Sequence, residues 1–303
     1  MNADDRLVGD ILSLKARRQA VILAHNYQRP EVQDIADFVG DSLELSQQAA
    51  ATEASVIVFC GVHFMAETAY MLAPDRTVLL PVAEAGCPMA DMIAVKQLRA
   101  KKAELPGIPV VCYVNSSAAV KAESDICCTS ANAVRIVESL PGDEVIFVPD
   151  RYLGQWLASQ TGKKIHLWPG FCPTHARILP EHITRLKAIY PLAKAVVHPE
   201  CRPETAAVAD VVLSTGGMIR YARREDVSQL LVGTETGIIH RLQKENPHKQ
   251  FIPVNQSAVC PNMKLTGMED ILRALENMEP VVSVEAGVCR QAQISVQRML
   301  KVG

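Results

Sequence analysis

The sequence carries no dominant charge, no long apolar run and no paired-cysteine motif, and each absence removes a class of function. Lys plus Arg number 31 against 33 Asp plus Glu, a net charge of −2. No basic face is therefore expected to track a nucleic acid or an anionic membrane. No apolar stretch approaches the roughly 18 residues of a membrane-crossing helix. Met1 to Asp10 holds three aspartates and lacks the apolar core of a signal peptide, which points to a reducing cytoplasm. The nucleotide-binding fingerprints G-x-G-x-x-G and the Walker loop are missing. Nine cysteines are present, an odd number without C-x₂-C spacing. That argues against a disulfide framework and against an ordinary structural zinc site.

What is there is a repeat. The chain has 303 residues, more than one core usually serves. Short Val- and Ile-rich runs such as Ala20 to Ala24, Val56 to Phe59, Val145 to Val148 and Ala195 to Val197 alternate with helix-like stretches such as Ser42 to Thr52 and Ala131 to Leu140. Short apolar runs without alternation read as strands covered on both faces, hence an α/β protein with parallel sheets. Three features recur in register. The first strand of each unit ends in a polar triplet: His25-Asn26-Tyr27, Tyr113-Val114-Asn115, His198-Pro199-Glu200. A second element starts at Asp37, Asp125 or Asp210 and reaches a hydroxyl five residues on, at Ser42, Ser130 and Thr215. The last strand leads to Cys87-Pro88, Cys172-Pro173 or Cys260-Pro261. The spacings are 88 then 85 residues for the first two features, and 85 then 88 for the cysteines.

The predicted architecture is three αβα domains with small parallel sheets, related by a pseudo-three-fold axis around a central site. The units span 1–88, 89–172 and 173–264. A tail, 265–303, forms two helices (Gly267 to Met278 and Cys289 to Lys301) that pack back on the first unit. Ligands bind beyond the carboxyl ends of parallel strands, where all three features lie. One centre would then receive three cysteines, three hydroxyls and the polar set His25, Tyr27, Tyr113, Asn115, His198 and Glu200. Three thiolates suit an iron–sulfur cluster with one iron lacking a protein ligand, a Lewis acid for a substrate oxygen. His175, three residues after Cys172, would lie beside it. The hydroxyls are also N-cap candidates, and Ser214-Thr215-Gly216-Gly217 offers the best helix N-terminus for a phosphate or carboxylate. Cys60, Cys112, Cys127, Cys128 and Cys201 read as small buried hydrophobes, and His63, His166, His182, His240 and His248 as surface or core residues.

Ala24-His25-Asn26-Tyr27-Gln28, Gly40 to Leu45, the three cysteines, His198-Pro199-Glu200-Cys201 and Ser214-Thr215-Gly216 together resemble the quinolinate synthase family. The resemblance runs from about Ala20 to Leu300. It implies three similar domains around one 4Fe-4S cluster held by Cys87, Cys172 and Cys260. The implied reaction condenses iminoaspartate with dihydroxyacetone phosphate, giving quinolinate, phosphate and two waters for NAD biosynthesis. An iminoaspartate-producing enzyme is the implied functional partner. Substrate contacts would be His25, Ser42, Tyr113, Val114, Asn115, Ser130, His198, Pro199, Glu200 and Thr215, with Tyr27 and His175 at further active-site positions. Some relatives carry C-x₂-C-x₂-C around the last ligand. Here those places are Val254 and Ser257, so no thiol switch is expected there.

Neutral hydroxyls, an amide and histidines can bind a dianion without burying excess positive charge. Glu200 is the candidate base, His198 assists, and Tyr27 acts as an acid or orienting donor. The nearest rivals are other three-cysteine cluster enzymes, those that dehydroxylate isoprenoid precursors or begin diphthamide synthesis. An iron–sulfur sensor would need an output surface, and a zinc-stabilised structural protein a fourth ligand. None is apparent.

Overall fold

A computed structural model describes residues 3–302. The first unit runs α1 (Ala3–Arg17), β1 (Ala20–His25), α2 (Pro30–Ile35), β2 (Phe38–Gly40), α3 (Ser42–Ala51), β3 (Val56–Cys60), α4 (His63–Leu72) and β4 (Thr77–Leu79). The second repeats this order as α5 (Val95–Glu104), β5 (Val110–Tyr113), α6 (Ala118–Ala122), β6 (Ile126–Cys128), α7 (Ala133–Ser139), β7 (Glu144–Val148), α8 (Arg151–Gln160) and β8 (Lys164–Leu167). The third follows as α9 (Pro180–Ile189), β9 (Lys194–Val197), α10 (Pro203–Ala207), β10 (Val211–Val212), α11 (Thr215–Ala222), β11 (Gln229–Gly233), α12 (Ile238–Glu245) and β12 (Gln250–Pro253). Each unit contains one four-stranded, all-parallel sheet in which the second strand lies outside the first and the third and fourth follow on the other side. The switch point falls between first and third strands in every unit, where such sheets open a crevice for ligands.

The repeated aspartates turn out to hold the sheets. Asp37, Asp125 and Asp210 each accept the amide of the neighbouring first strand, from Ile22 at 2.8 Å, Val110 at 2.7 Å and Ala195 at 2.6 Å. Strand residues alternate between two cores, as a pleat requires. On β1, Leu23 joins an apolar cluster that runs through all three units, while Ile22 and Ala24 face an outer cluster with Ile11, Ile271 and Leu275. A third cluster, around Ile183, Ala195 and Leu231, closes the outer face of the third unit.

The tail forms α13 (Met268–Asn277) and α14 (Ala286–Val302). The first lies against α1 and β3, and Arg18 ties its last carbonyls, Leu275 O at 3.1 Å and Glu276 O at 2.8 Å. The second does not stay with the first unit. It lies along α6 and β6 of the second unit and also touches α4, burying Ala292, Val296 and Met299. Both units leave apolar surface at that junction, and one amphipathic helix covers the two together. Among the described residues no helix is long and apolar enough to cross a membrane.

Candidate active site

The strand ends of the three units face one cavity of about 690 Å³, open solvent at its mouth included. His25, Tyr27, Ser42, Tyr113, Asn115, Ser130, His175, His198, Glu200 and Thr215 line it, as do Cys87, Cys172 and Cys260. Val114 and Pro199 are buried but form no part of its walls; Val114 borders a small neighbouring void with Ser42. Among the described residues the walls carry no Lys or Arg.

The hydroxyls reach the cavity because their neighbours do the capping. Asp41 caps α3 through Oδ1, which accepts from Leu43 N and Glu44 N, both at 3.0 Å, and Glu44 closes the box. Ser214 caps α11, accepting from Gly217 N at 3.1 Å. Ahead of α7, Thr129 and Asn132 hold the turn between them. Ser42, Ser130 and Thr215 are therefore not caps, contrary to one sequence expectation; their hydroxyls are not spent on helix ends, and Thr215 Oγ1 accepts from Asn26 Nδ2 at 3.2 Å. The phosphate cradle expected at α11 is also partly filled. Gly216 N donates to Asp41 Oδ2 at 3.3 Å and Gly217 N to Ser214, so those two amides are engaged. A Cβ on Gly216 would stand 2.6 Å from Asp41 Oδ2, so this close approach requires glycine.

Two histidines share one local design. Tyr27 N donates to His25 Nδ1 at 3.2 Å, and Glu200 N donates to His198 Nδ1 at 3.3 Å. An Nδ1 that accepts leaves the proton on Nε2, which in His198 donates to Ser130 Oγ at 3.1 Å. Burial, with the neighbouring His198 ring and the Lys264 ammonium, pulls His25 down to about 3. Burial likewise pulls His198 down to about 3. Both are neutral N–H donors at neutral pH.

Glu200 is the hub. Its Oε1 accepts from Tyr113 Oη at 2.6 Å and from Asn115 Nδ2 at 3.4 Å, and its Oε2 lies 2.7 Å from His175 Nδ1. Burial disfavours its charge, but the facing His175 and His198 rings and the bonds from His175 and Tyr113 outweigh that and bring its carboxyl down to about 2. Tyr27 and Tyr113 are pushed well up by burial and by the Glu200 charge, so both stay neutral phenols. Asn115 Oδ1 is buried without a protein partner, an acceptor left for a ligand.

Each site cysteine is followed by proline and a turn of 3₁₀ helix (Ala90–Met92, His175–Arg177, Pro261–Lys264). Proline has no N–H to offer; the donors to sulfur come from just beyond it. Amides of Met89 and Ala90 serve Cys87, that of His175 serves Cys172, and those of Asn262 and Met263 serve Cys260. Burial raises all three thiols, Cys87 to about 12, so a metal would displace protons on binding. Three unbridged, half-buried thiols on one cavity, each met by amide donors, fit an iron–sulfur cluster held by three cysteines. Cys172, His175 and Glu200 also bring ligand atoms within 4.8 Å of one another, a grouping already accounted for by His175 Nδ1 between Glu200 and Cys172 Sγ at 3.1 Å. Cys60, Cys112, Cys127, Cys128 and Cys201 are buried away from the cavity walls.

Sequence reading missed the ends of the third strands. Asp150, fully buried, caps α8 and accepts Cys172 N at 3.2 Å. Glu235, also fully buried, accepts Cys260 N at 3.1 Å and pairs with Lys264 at 3.0 Å. The two occupy equivalent repeat positions, 85 residues apart, and Val62 holds the third. Since these ends flank the switch point, topology alone would have flagged them.

A family model described as quinolinate synthetase A protein matches residues 9–301. A quinolinate synthase of Dehalococcoides mccartyi strain 195 is 63% identical over 292 residues, covering 96% of this chain and 97% of the relative. A quinolinate synthase of Geotalea uraniireducens is 56% identical over 298 residues, 98% of each chain. One from Methanoregula boonei is 54% identical over 291 residues, 96% of each. With nearly the whole chain matched by the family model and relatives at this level of identity, the chain belongs to the quinolinate synthetase A family.

Proposed function

We propose that this chain is a quinolinate synthase, joining iminoaspartate and dihydroxyacetone phosphate with loss of phosphate and two waters. The observation that carries the reading is a cavity onto which Glu200 and the three proline-flanked cysteines open together. Cys87, Cys172 and Cys260 would hold a 4Fe-4S cluster. When bound, the cluster supplies a Lewis-acidic iron without a protein ligand, which draws electron density from a substrate oxygen.

The chain's own groups do the rest. The Nε2–H of His25 and of His198 and the hydroxyls of Ser42, Ser130 and Thr215 meet the carboxylates of iminoaspartate with neutral donors. Asn115 Oδ1 accepts from its nitrogen. Ring formation needs protons taken from carbon. Glu200 is the base, held charged and aimed by Tyr113, Asn115 and His175. Tyr27 places a phenol oxygen on the same cavity, and its neutrality at neutral pH suits it to orient a substrate oxygen. The substrate would come from an enzyme that makes iminoaspartate, and the working compartment would be the cytoplasm.

Glu200→Gln keeps the shape and removes the base. With anaerobically reconstituted protein, quinolinate formation should fall about 10²- to 10⁴-fold, with visible absorbance unchanged. A near-normal rate removes Glu200 from the base role.

A further inference from the structure

Asn26 is the first residue beyond β1 and is fully buried. It forms no part of the cavity wall. Its two amide atoms reach across the junction of the first and third units. Arg241, on α12, donates from Nη1 to Asn26 Oδ1 at 2.8 Å and to Val39 O at 2.6 Å. Glu245 holds that guanidinium in place, accepting from Arg241 Nε at 2.7 Å. On the other side Asn26 Nδ2 donates to Thr215 Oγ1 at 3.2 Å. A guanidinium can only donate, so it fixes the oxygen end of the amide, and the NH₂ end must face Thr215. Thr215 Oγ1 must then accept, and its one proton is left to give elsewhere. Thr215 lines the cavity. Ser130 is held in the same sense, since His198 Nε2 donates to its Oγ at 3.1 Å.

The repeat supplies an internal control. The counterparts of Asn26 are Val114 and Pro199, and those of Arg241 are Thr68 and Trp156. No amide and no cation stands at either place in the other two units. The strand end therefore forms without this pair, and the fold does not require it here. We infer that Asn26, oriented by Arg241, is a positioning residue that sets the polarity of the Thr215 hydroxyl, presenting it to the cavity as a donor that selects a carboxylate oxygen of the substrate. This rests on the reading of Thr215 as a contact of iminoaspartate given above. A contact of this kind serves binding rather than the chemical step, so its loss appears in KM.

The test measures kcat, KM for iminoaspartate and the urea midpoint of Asn26→Asp, Thr215→Val and the pair, in anaerobically reconstituted full-length protein. Asn26→Asp keeps the shape and still accepts from Arg241, but it turns a carboxylate oxygen toward Thr215 and draws the hydroxyl proton to itself. Its urea midpoint should match or exceed that of the parent, while KM rises about 10- to 10²-fold and kcat changes little. Thr215→Val should raise KM to a similar extent. The pair should bind no worse than Thr215→Val alone, because Asn26 acts through that hydroxyl; repulsion of the dianion by the new carboxylate would instead add to the loss. Should Asn26→Asp not fold, Arg241→Met makes the comparison by freeing the amide to turn, and Arg241→Lys, which keeps a donor, should recover part of the affinity. Parent protein that forms no quinolinate, or Thr215→Val at the parent KM, would overturn the reading of the site and this inference together. A raised KM in Thr215→Val beside a normal one in Asn26→Asp, or additive losses in the pair, would overturn the inference alone.

Discussion

Replacing Asp150 by alanine removes three hydrogen bonds at once. Oδ1 accepts from Tyr152 N and Leu153 N, both at 2.8 Å, and Oδ2 from Cys172 N at 3.2 Å. Loss of the α8 cap costs about 0.5–2 kcal/mol, and stranding the Cys172 amide about 1–3 kcal/mol. Burial and the Glu200 charge push the Asp150 carboxyl up, so removing it also relieves a desolvation cost. The net expectation is about 2 kcal/mol for Asp150→Ala. Asp150→Asn should cost roughly half as much, since its amide oxygen still serves α8 while its NH₂ faces the Cys172 amide. The chain has two tryptophans. Trp156 lies on α8 itself and Trp168 directly follows β8, so fluorescence during urea unfolding of metal-free protein reports the second unit. A loss under about 0.5 kcal/mol for the alanine variant, or an asparagine variant worse than alanine, would refute the reasoning.

Alanine at any one of Cys87, Cys172 or Cys260 should abolish the visible absorbance of reconstituted protein. Cys60→Ala should not, and its failure to bind iron would contradict the assignment of ligands. His25 and His198 are held near pKa 3 in the fold but near 6.5 when unfolded. Above pH 6.5 both states bind the same protons at these rings; below it the unfolded chain takes up protons that the fold refuses. Stability should therefore fall as pH drops from 6.5 toward 3, by up to about 1.4 kcal/mol per pH unit per ring, and His25→Asn should flatten the urea-midpoint profile. Gly216→Ala, whose Cβ meets Asp41 Oδ2 at 2.6 Å, should lower thermal stability by about 1–3 kcal/mol. Gly9→Ala, with nothing within 4 Å in the interior of α1, should be neutral or raise it by up to about 1 kcal/mol; equal effects at the two sites would show that the contact does not matter.

Self-comparison of the sequence found the sheets because residue types repeat where backbone geometry repeats. Asp37, Asp125 and Asp210 are in register because each holds a first strand, a structural duty that the pattern alone does not separate from a chemical one. The cysteines and the polar triplets were legible for the same reason. Glu235 and Asp150 were not, since their position carries Val, Asp and Glu across the units, and a comparison tuned to shared letters passes over them. Capping was misread by one residue: Asp41 and Ser214 precede Ser42 and Thr215, and both members of each pair are competent caps. The resting place of α14 was illegible because an apolar stripe names no partner. Its contact with the second unit depends on surfaces brought together only after the sheets form.

Ser42 and Thr215 owe nothing to the ends of their own helices. The scaffold closes those ends with the preceding side chain, and the Ser42 hydroxyl that follows is free to change, whereas Thr215 Oγ1 also accepts from the buried Asn26 Nδ2 at 3.2 Å. In such an arrangement inheritance of shape and inheritance of chemistry are carried by adjacent letters. A descendant could exchange one hydroxyl for a methyl or an amine and try a new ligand while its parallel sheets assembled as before.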